Sequence, residues 1–496
     1  MSNPTDVAAR PSAPDKGLAA DSVGLLSMVS LGLASVAPAY SITVTLGLVV
    51  LAVGHLAPAA LLVGFVPILC TAYAFRELNR VMPDCGTNFV WITKNFGPWS
   101  GWIFGNWLPQ IATLIAMTAL AQVGATNLLD LVGLTDLAGQ TLPVTCLGAL
   151  LIALVTAVAY RGVQLSAAVQ TAMVAIQLAA LVGFGVAALA HHGAATPSLA
   201  WLNPVGFHGT GPFAESVLLC LFIYWGWDAA LTVNEEACDR TRTPGRAAVL
   251  STLILLSTYL FTAVAAISFA GTGTKGLGLG DQNNTADVLA TLAPAALGGS
   301  VAKGVQLAVA LSSVAALLTC IVSTARPNVS VASHGAMPKI FARVHPRYRT
   351  PTFATVFTGV VAVALLAALS FAAPSFLGDA VLCIGLLVCA YYGATAFACA
   401  WHFRRDLRTS TQALLVKGLL PLAGGLMMLA AFARSAWDMV DPSYGATSID
   451  GIGGVFLLGI GSILLGLPLT ALLRLRFPDF FRNGRRTVTD LIITED

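Results

Sequence analysis

Apolar runs of about 20 residues or more alternate with short polar segments along nearly the whole chain, and that length crosses the hydrocarbon core of a bilayer. The pattern predicts twelve membrane-spanning helices, at 22–52, 56–78, 98–127, 143–160, 166–190, 213–236, 247–270, 300–324, 352–372, 377–402, 413–435 and 450–474. Residues 1–21 and 475–496 read as polar tails, and an even number of spans places both on one side of the membrane. The first tail lacks the apolar core of a cleaved signal peptide. The longest connections are 191–212 and 271–299, and the stretch from Thr285 in the second predicts a short helix over the outer mouth.

Two spans break their own pattern. The first, 22–52, is too long for one straight crossing, and Leu33-Ala-Ser-Val-Ala-Pro-Ala-Tyr-Ser41 puts Pro38 and two serines at membrane depth. Proline removes a backbone donor and clashes with the preceding turn, so carbonyls near Ala34 and Ser35 lose their helical partners. In lipid those groups must be satisfied by another helix, water, an ion or a substrate. The sixth span is interrupted at Gly226 beside Asp228 and leaves the membrane at Glu235 and Glu236. A carboxylate at mid-span costs about 2.5–3.5 kcal/mol on insertion scales and faces a cavity or a partner. An offset of five spans means the two breaks cross in opposite directions, as in inverted repeats. Spans 1–5 (22–190) form one repeat on this reading and spans 6–10 (213–402) the other, with 413–474 appended.

Composition agrees with this class. The chain is 57% hydrophobic and 10% charged, where a soluble protein carries about 25% charged residues. Of the 26 Lys and Arg residues, only Lys275, Lys303 and Arg434 fall on the side opposite the tails. That asymmetry makes the tail side cytoplasmic, and the basic residues need no nucleic-acid partner; the expected location is the plasma (cytoplasmic) membrane. The nine cysteines show no metal-type spacing and read as small apolar packers, so no metal or cofactor is expected.

Three stretches carry a resemblance. They are Ala72-Tyr-Ala-Phe-Arg-Glu-Leu-Asn-Arg-Val-Met-Pro-Asp-Cys-Gly-Thr-Asn-Phe-Val-Trp91, the segment 221–247 around Trp225-Gly-Trp-Asp228, and Gly335-Ala-Met-Pro-Lys-Ile-Phe-Ala-Arg-Val-His-Pro-Arg-Tyr-Arg-Thr-Pro351. With them the chain resembles the amino acid–polyamine–organocation (APC) permeases over nearly its whole length. The resemblance implies an all-helical, LeuT-like fold of five plus five inverted helices with helices 1 and 6 broken, and secondary transport of amino acids or amines. Two family features are missing. The Gly-Ser/Thr-Gly type loop of span 1 is replaced by Ala34-Ser-Val-Ala-Pro-Ala-Tyr40, and the span 5 lysine of some proton-coupled members by Gln177.

The candidate site follows from the two breaks. Asp228 is expected to pair with a substrate ammonium or to carry a proton; its bland alternative is a structural acid in a buried hydrogen bond. Ser35, Val36, Ala37, Pro38, Ala39 and Tyr40 form the facing wall, where half-helix ends suit a substrate carboxylate or a cation. The alternative there is a packing kink. Tyr224, Trp225 and Trp227 surround Gly226, and about 100° per residue prevents all three from facing one cavity. Ser312 and Ser313 stand where sodium-coupled relatives of the fold offer hydroxyls, although serine pairs also serve close packing. With Asp228 and Gln177 they form the ion-coupling candidates. Gln110, Tyr391 and Tyr392 are further polar groups on helices expected to line the cavity. Glu235 and Glu236 read as an exit-side network with Arg240, Arg242 or Arg246.

The resulting expectation is a secondary active importer of an amino acid or organic amine, coupled to H+ or Na+. The missing span 1 loop turns attention toward amines without an α-carboxylate. An exchanger is the nearest alternative, and a channel or a non-transporting sensor on the same scaffold is the rival from another class. No nucleophile–base set supports an enzyme. The glycine-rich last span permits close helix approach without specifying an oligomer.

Overall fold

The computed structural model describes residues 16–489 apart from 208, 286 and 373. Of the two expected tails, 1–15 and 490–496 therefore lie outside the described residues. Almost all of the rest is helical, and a two-residue hairpin, β1 (Ser448–Ile449) and β2 (Ile452–Gly453), pairs antiparallel with Ser448 opposite Gly453.

Eleven helical runs are long and apolar enough to cross a membrane. The first, Leu25–Val81, has 57 residues, far more than about 20, and it is not one straight helix. It consists of α1 (Leu25–Val36), α2 (Pro38–Val53), a 3-10 turn at Gly54–Leu56 and α3 (Ala57–Val81). Gly54 turns the chain at φ 60°, a conformation that glycine adopts without strain.

After it come α4 (Asn88–Phe96), α5 (Pro98–Trp102), a π-helical turn at Ile103–Trp107, and α6 (Leu108–Leu131). A short α7 (Thr135–Ala138) leads into α8 (Thr141–Arg161) and α9 (Val163–Ala190). The next run divides into α10 (Thr210–Ile223) and a 3-10 segment, Trp227–Glu236. Then follow α11 (Thr243–Ala270), α12 (Val288–Leu297), α13 (Gly299–Ser333), α14 (Thr352–Ala372) and α15 (Pro374–His402). The chain finishes with α16 (Thr411–Ala413), a π-helical stretch (Leu414–Leu419), α17 (Leu420–Asp438), α18 (Gly454–Arg476) and α19 (Pro478–Thr489). Each π turn lies just before a proline, Pro109 or Pro421. The missing proline N–H releases the carbonyl four residues back, and the ladder adjusts around it.

The most apolar window of α13 is 78% buried, whereas that of α18 is 22% buried; α13 is a central post and α18 peripheral. Short α12 closes one end, as expected from the sequence around Thr285. Asp287 caps it by accepting from the Ala290 N–H (2.8 Å) and also accepts from the Thr43 hydroxyl of α2 (2.6 Å). Gly47 of α2 lies so close that a Cβ there would be 2.7 Å from the Thr285 Cα.

An ionic network holds the opposite end. The Lys16 ammonium reaches Asp84 (2.7 Å) and Glu235 (2.6 Å), with the Cys85 sulfur 3.7 Å away. Ser330 donates to Asp84, and His334 Nε2 lies 3.4 Å from it. The Asp84, Cys85 and Glu235 ligand atoms converge closely enough to hold a metal ion, but the lysine ammonium contacts all three. Burial alone would lower the Lys16 pKa, yet Asp84, Cys85 and Glu235 hold it above its ordinary 10.5. Burial alone would raise Asp84, and Lys16 with His334 holds it below its ordinary 3.8.

Glu236 is fully buried, and both its oxygens accept from the Arg326 guanidinium, with Nη2–Oε1 at 3.0 Å. The expected partners Arg240, Arg242 and Arg246 are thus replaced by Lys16 for Glu235 and Arg326 for Glu236. The cause is helix length. The α13 helix continues past the expected end at 324 to Ser333 and carries Arg326 inside, while the 3-10 segment turns Glu236 toward it.

Replacing Arg326 by Met strands a buried carboxylate, a loss of about 3–5 kcal/mol. The detergent-solubilised variant should melt well below wild type, and adding Glu236→Gln should restore part of the difference. The Lys16→Met variant should also be destabilised, most at neutral and alkaline pH and less as pH falls, because without the ammonium burial raises Asp84 and its protonation relieves the stranded charge. The depressed carboxylate contributes fully above its unfolded value and fails only in acid; the raised ammonium contributes fully below its unfolded value and fails only in base. A destabilisation as large at about pH 5 as at about pH 8, measured by melting at several pH values, contradicts this pairing.

A candidate substrate site between two interrupted helices

The first interruption is built around Ala37, which stands at φ 52° between α1 and α2. Pro38 has no N–H to continue the α1 ladder and serves as the first residue of α2. Much of the polarity released by the break is satisfied locally. The Ala37 N–H donates to the Ala34 carbonyl (3.1 Å), and the Ser41 hydroxyl donates to that of Val36 (2.6 Å). The Tyr40 N–H donates to Ser312 Oγ (3.2 Å), whose own hydroxyl donates to Gln177 Oε1 (2.8 Å).

The second interruption, Tyr224–Gly226, lies directly against the first. Gly226 has φ 116°, and a Cβ on it would stand 3.0 Å from both the carbonyl oxygen and Oγ of Ser35. Only glycine allows these two backbones to meet. The Gly32 contact repeats the theme one turn earlier, where a Cβ would stand 2.8 Å from Ser251 Oγ and 3.4 Å from the Trp227 carbonyl oxygen.

A cavity with about 690 Å³ of empty space, its mouth included, starts at this junction. Ser35, Trp225, Gly226, Asp228 and Tyr391 line its deep end, and Gln110, Thr113, Thr232, Ser323 and Thr324 its flanks. Thr87, Asn88 and Asn106 line it toward the end that holds the Lys16 network. Asp228 is half-buried and accepts from the Tyr392 hydroxyl at 2.8 Å. The Trp225 indole N–H donates to the Tyr391 hydroxyl. Gln110 Nε2 donates to Asn328 Oδ1 (3.0 Å), so span 3 is tied to α13 across the cavity.

Other expected site residues lie elsewhere. Tyr224 is buried against Phe65 and Tyr259, and its hydroxyl donates to the Leu61 carbonyl (3.3 Å). Trp227 is buried, with its ring 5.1 Å from Phe75 and 5.4 Å from Tyr392. Val36, Ala37, Pro38 and Ala39 are buried in the α1–α2 junction and do not line the cavity. Tyr40 lines a separate, apolar cavity with Val44, Leu218, Phe222 and Cys389. Ser312 and Gln177 belong to the hydrogen-bond chain supporting the first break, and Gln177 Nε2 is buried without a partner. Ser313 donates to the Val309 carbonyl (3.4 Å) and packs against Gly124.

The sequence reading missed Asn88, Asn106 and the hydroxyl residues of the flanks. A signal existed for Asn106: an amide three residues before Pro109, within an otherwise apolar span.

Comparison with known proteins identifies the family. The profile of a family described as amino acid permease matches residues 23–449. A transporter of Mycobacterium tuberculosis, named only as uncharacterised, is 30% identical over 348 residues, covering 70% of this chain and 73% of the relative. The branched-chain amino acid permease BcaP of Lactococcus lactis is 27% identical over 222 residues, 42% of this chain and 46% of its own. The methylthioribose transporter of Bacillus subtilis is 23% identical over 309 residues, 59% and 63% of the two chains. With apolar helices fit to cross a bilayer many times and a family match over most of its length, the chain is an integral, multi-pass membrane protein of the amino acid permease family, whose members are transporters rather than enzymes.

Proposed function

We propose that the protein is a secondary active transporter that imports an amino acid or related organic amine by alternating access, driven by a proton or sodium gradient. The observation that carries this reading is Asp228 at the junction of the two breaks. Among the residues lining the cavity it is the single charged side chain, with no Lys, Arg or His beside it. A carboxylate in that setting favours a cationic group on the ligand, and the neighbouring Trp225 ring offers a face for cation–π contact.

The proposed architecture has twelve crossings, because Leu25–Val81 supplies two, with α1–α9 and α10–α15 as the inverted halves. Both termini are cytoplasmic by the distribution of basic residues. The cavity then faces inward, and α12, held by Asp287 and Thr43, seals the outer side. Transport proceeds as the bundle carrying the breaks rocks against the rest, with the Ser35–Gly226 contact as the fixed centre. A substrate ammonium pairs with Asp228, whose remaining acceptor capacity is shared with Tyr392. The small number of free amides at the start of α2 suits an amine better than an α-carboxylate, since the Tyr40 N–H is already taken by Ser312.

Counterflow in proteoliposomes tests the proposal, with a panel of amino acids, monoamines, polyamines and methylthioribose. The wild type should accumulate an amine-bearing compound. Asp228→Asn should weaken its binding by about 10- to 150-fold, the loss of one charge-assisted hydrogen bond of about 1.5–3 kcal/mol. Accumulation without response to a proton or sodium gradient favours exchange. Unsaturable current without counterflow replaces the transporter reading with a channel, and equal affinity in the Asp228→Asn variant removes Asp228 from recognition.

A further inference from the structure

A second built feature lies away from the substrate cavity, along α8 and α14. Ala153, Ala157 and Arg161 follow one another at a spacing of four, which keeps them on one face of α8. Val356, Gly359, Val360 and Val363 share a face of α14 in the same way. Together they line a groove with about 1220 Å³ of empty space, its open side included. Gly359 sets its depth: a Cβ there would stand 2.5 Å from Thr156 Oγ1, so its absence lets α14 rest against α8. The Thr156 hydroxyl donates to the Ile152 carbonyl (2.6 Å), which leaves the floor apolar. Val356 and Val360 are 47% and 62% exposed, and in a multi-pass membrane protein such a face meets lipid.

One end of the groove differs in character. Tyr160, Arg161 and Tyr348 line it there, and the loop after α13 is fastened to it. The Thr350 hydroxyl donates to the Tyr160 carbonyl (2.7 Å), and the Tyr160 ring meets the His345 and Tyr348 rings edge-on. The Arg347 and Tyr348 N–H groups donate to His345 Nδ1 (3.1 and 3.2 Å), and the Arg347 guanidinium lies 5.7 Å from the centre of the Tyr348 ring. Arg161 and Arg347 are both exposed. The chain carries no Asp or Glu between Asp136 and Glu215, nor between Asp287 and Asp379. Among the described residues, neither arginine has a carboxylate partner.

We infer that this groove binds an anionic phospholipid, its acyl chain in the trough between α8 and α14 and its phosphate on Arg161 and Arg347. The dimensions agree: Ala153 to Arg161 is about 12 Å along the helix, against roughly 15 Å of hydrocarbon in one leaflet. Tyr160 and Tyr348 then stand at headgroup level, where amphipathic rings are favoured. A zwitterionic lipid fills the same trough but brings a positive charge beside the arginines. The site is independent of the solute bound near Asp228.

Native mass spectrometry of the detergent-solubilised full-length protein, titrated with phosphatidylglycerol and with phosphatidylcholine of the same chains, tests the inference. Wild type should bind phosphatidylglycerol roughly 25-fold more tightly, about fivefold for each arginine. Arg161→Gln and Arg347→Gln should each remove about fivefold of that preference, and the double variant nearly all of it. Arg474→Gln with Arg476→Gln, at the end of α18, should keep it. Ala157→Trp fills the trough and should weaken binding of both lipids with the arginines intact. All five positions are exposed, so lipid-free melting temperatures should match wild type. Equal affinity of wild type for the two lipids overturns the inference. A loss in the Arg474 and Arg476 pair as large as in the Arg161 and Arg347 pair marks general charge attraction and overturns it too. Phosphatidylglycerol binding unchanged by Ala157→Trp removes the lipid from the trough, and a preference lost only together with a lowered melting temperature also counts against the site.

Discussion

Everything in this structure depends on one demand of the bilayer: backbone polar groups within it need partners in the protein. Two helical runs stop forming their own ladders partway along, at Ala37 and at Tyr224–Gly226. They are tolerated because they face each other. Gly226 admits Ser35 to within contact distance, Ser312 takes the Tyr40 N–H, and the Ser41 hydroxyl covers the Val36 carbonyl. The opening beside that junction is the cavity, so the device that satisfies the broken backbone also creates the place where a ligand can reach it.

Charge is distributed on the same logic. At the tail end, ionisable groups are saturated by one another: Lys16 with Asp84 and Glu235, and Arg326 with Glu236. Inside the cavity, Asp228 accepts from a neutral tyrosine hydroxyl. The contrast separates acids paired with basic side chains from an acid whose partner is neutral.

Much of this was legible in the sequence. Apolar run length pointed to many helices long enough to cross a membrane, of which the described residues form eleven runs, Leu25–Val81 taking in two expected spans; Pro38 marked the first break, and Gly226 beside Asp228 marked the second. The direction of individual side chains was not legible. Around Gly226 the helix unwinds, and the 100° rule no longer says which of Tyr224, Trp225 and Trp227 faces the cavity; the structure turns Trp225 toward it. The partners of Glu235 and Glu236 were misread for a related reason. Nearby arginines in the chain are obvious, whereas Lys16 and Arg326 arrive from distant segments through packing alone. The start of α4 rests against the π turn only because Gly105 has no side chain, a juxtaposition that periodicity does not encode.

The central claim is that the Ser35–Gly226 junction is where substrate sits. Ser35→Cys places a near-isosteric thiol there, and the exposed Cys146 and Cys238 can be replaced by serine to leave a quiet background. Cys320, on the wall of the same cavity, is replaced as well, and the measurement is the rate of maleimide labelling at the introduced cysteine in inside-out vesicles, read by mass spectrometry, with and without a compound shown to undergo counterflow. Labelling from the cytoplasmic face that slows several-fold with the transported compound, and not with a non-transported analogue, is the predicted result. Labelling indifferent to a compound that the same variant transports would contradict the account.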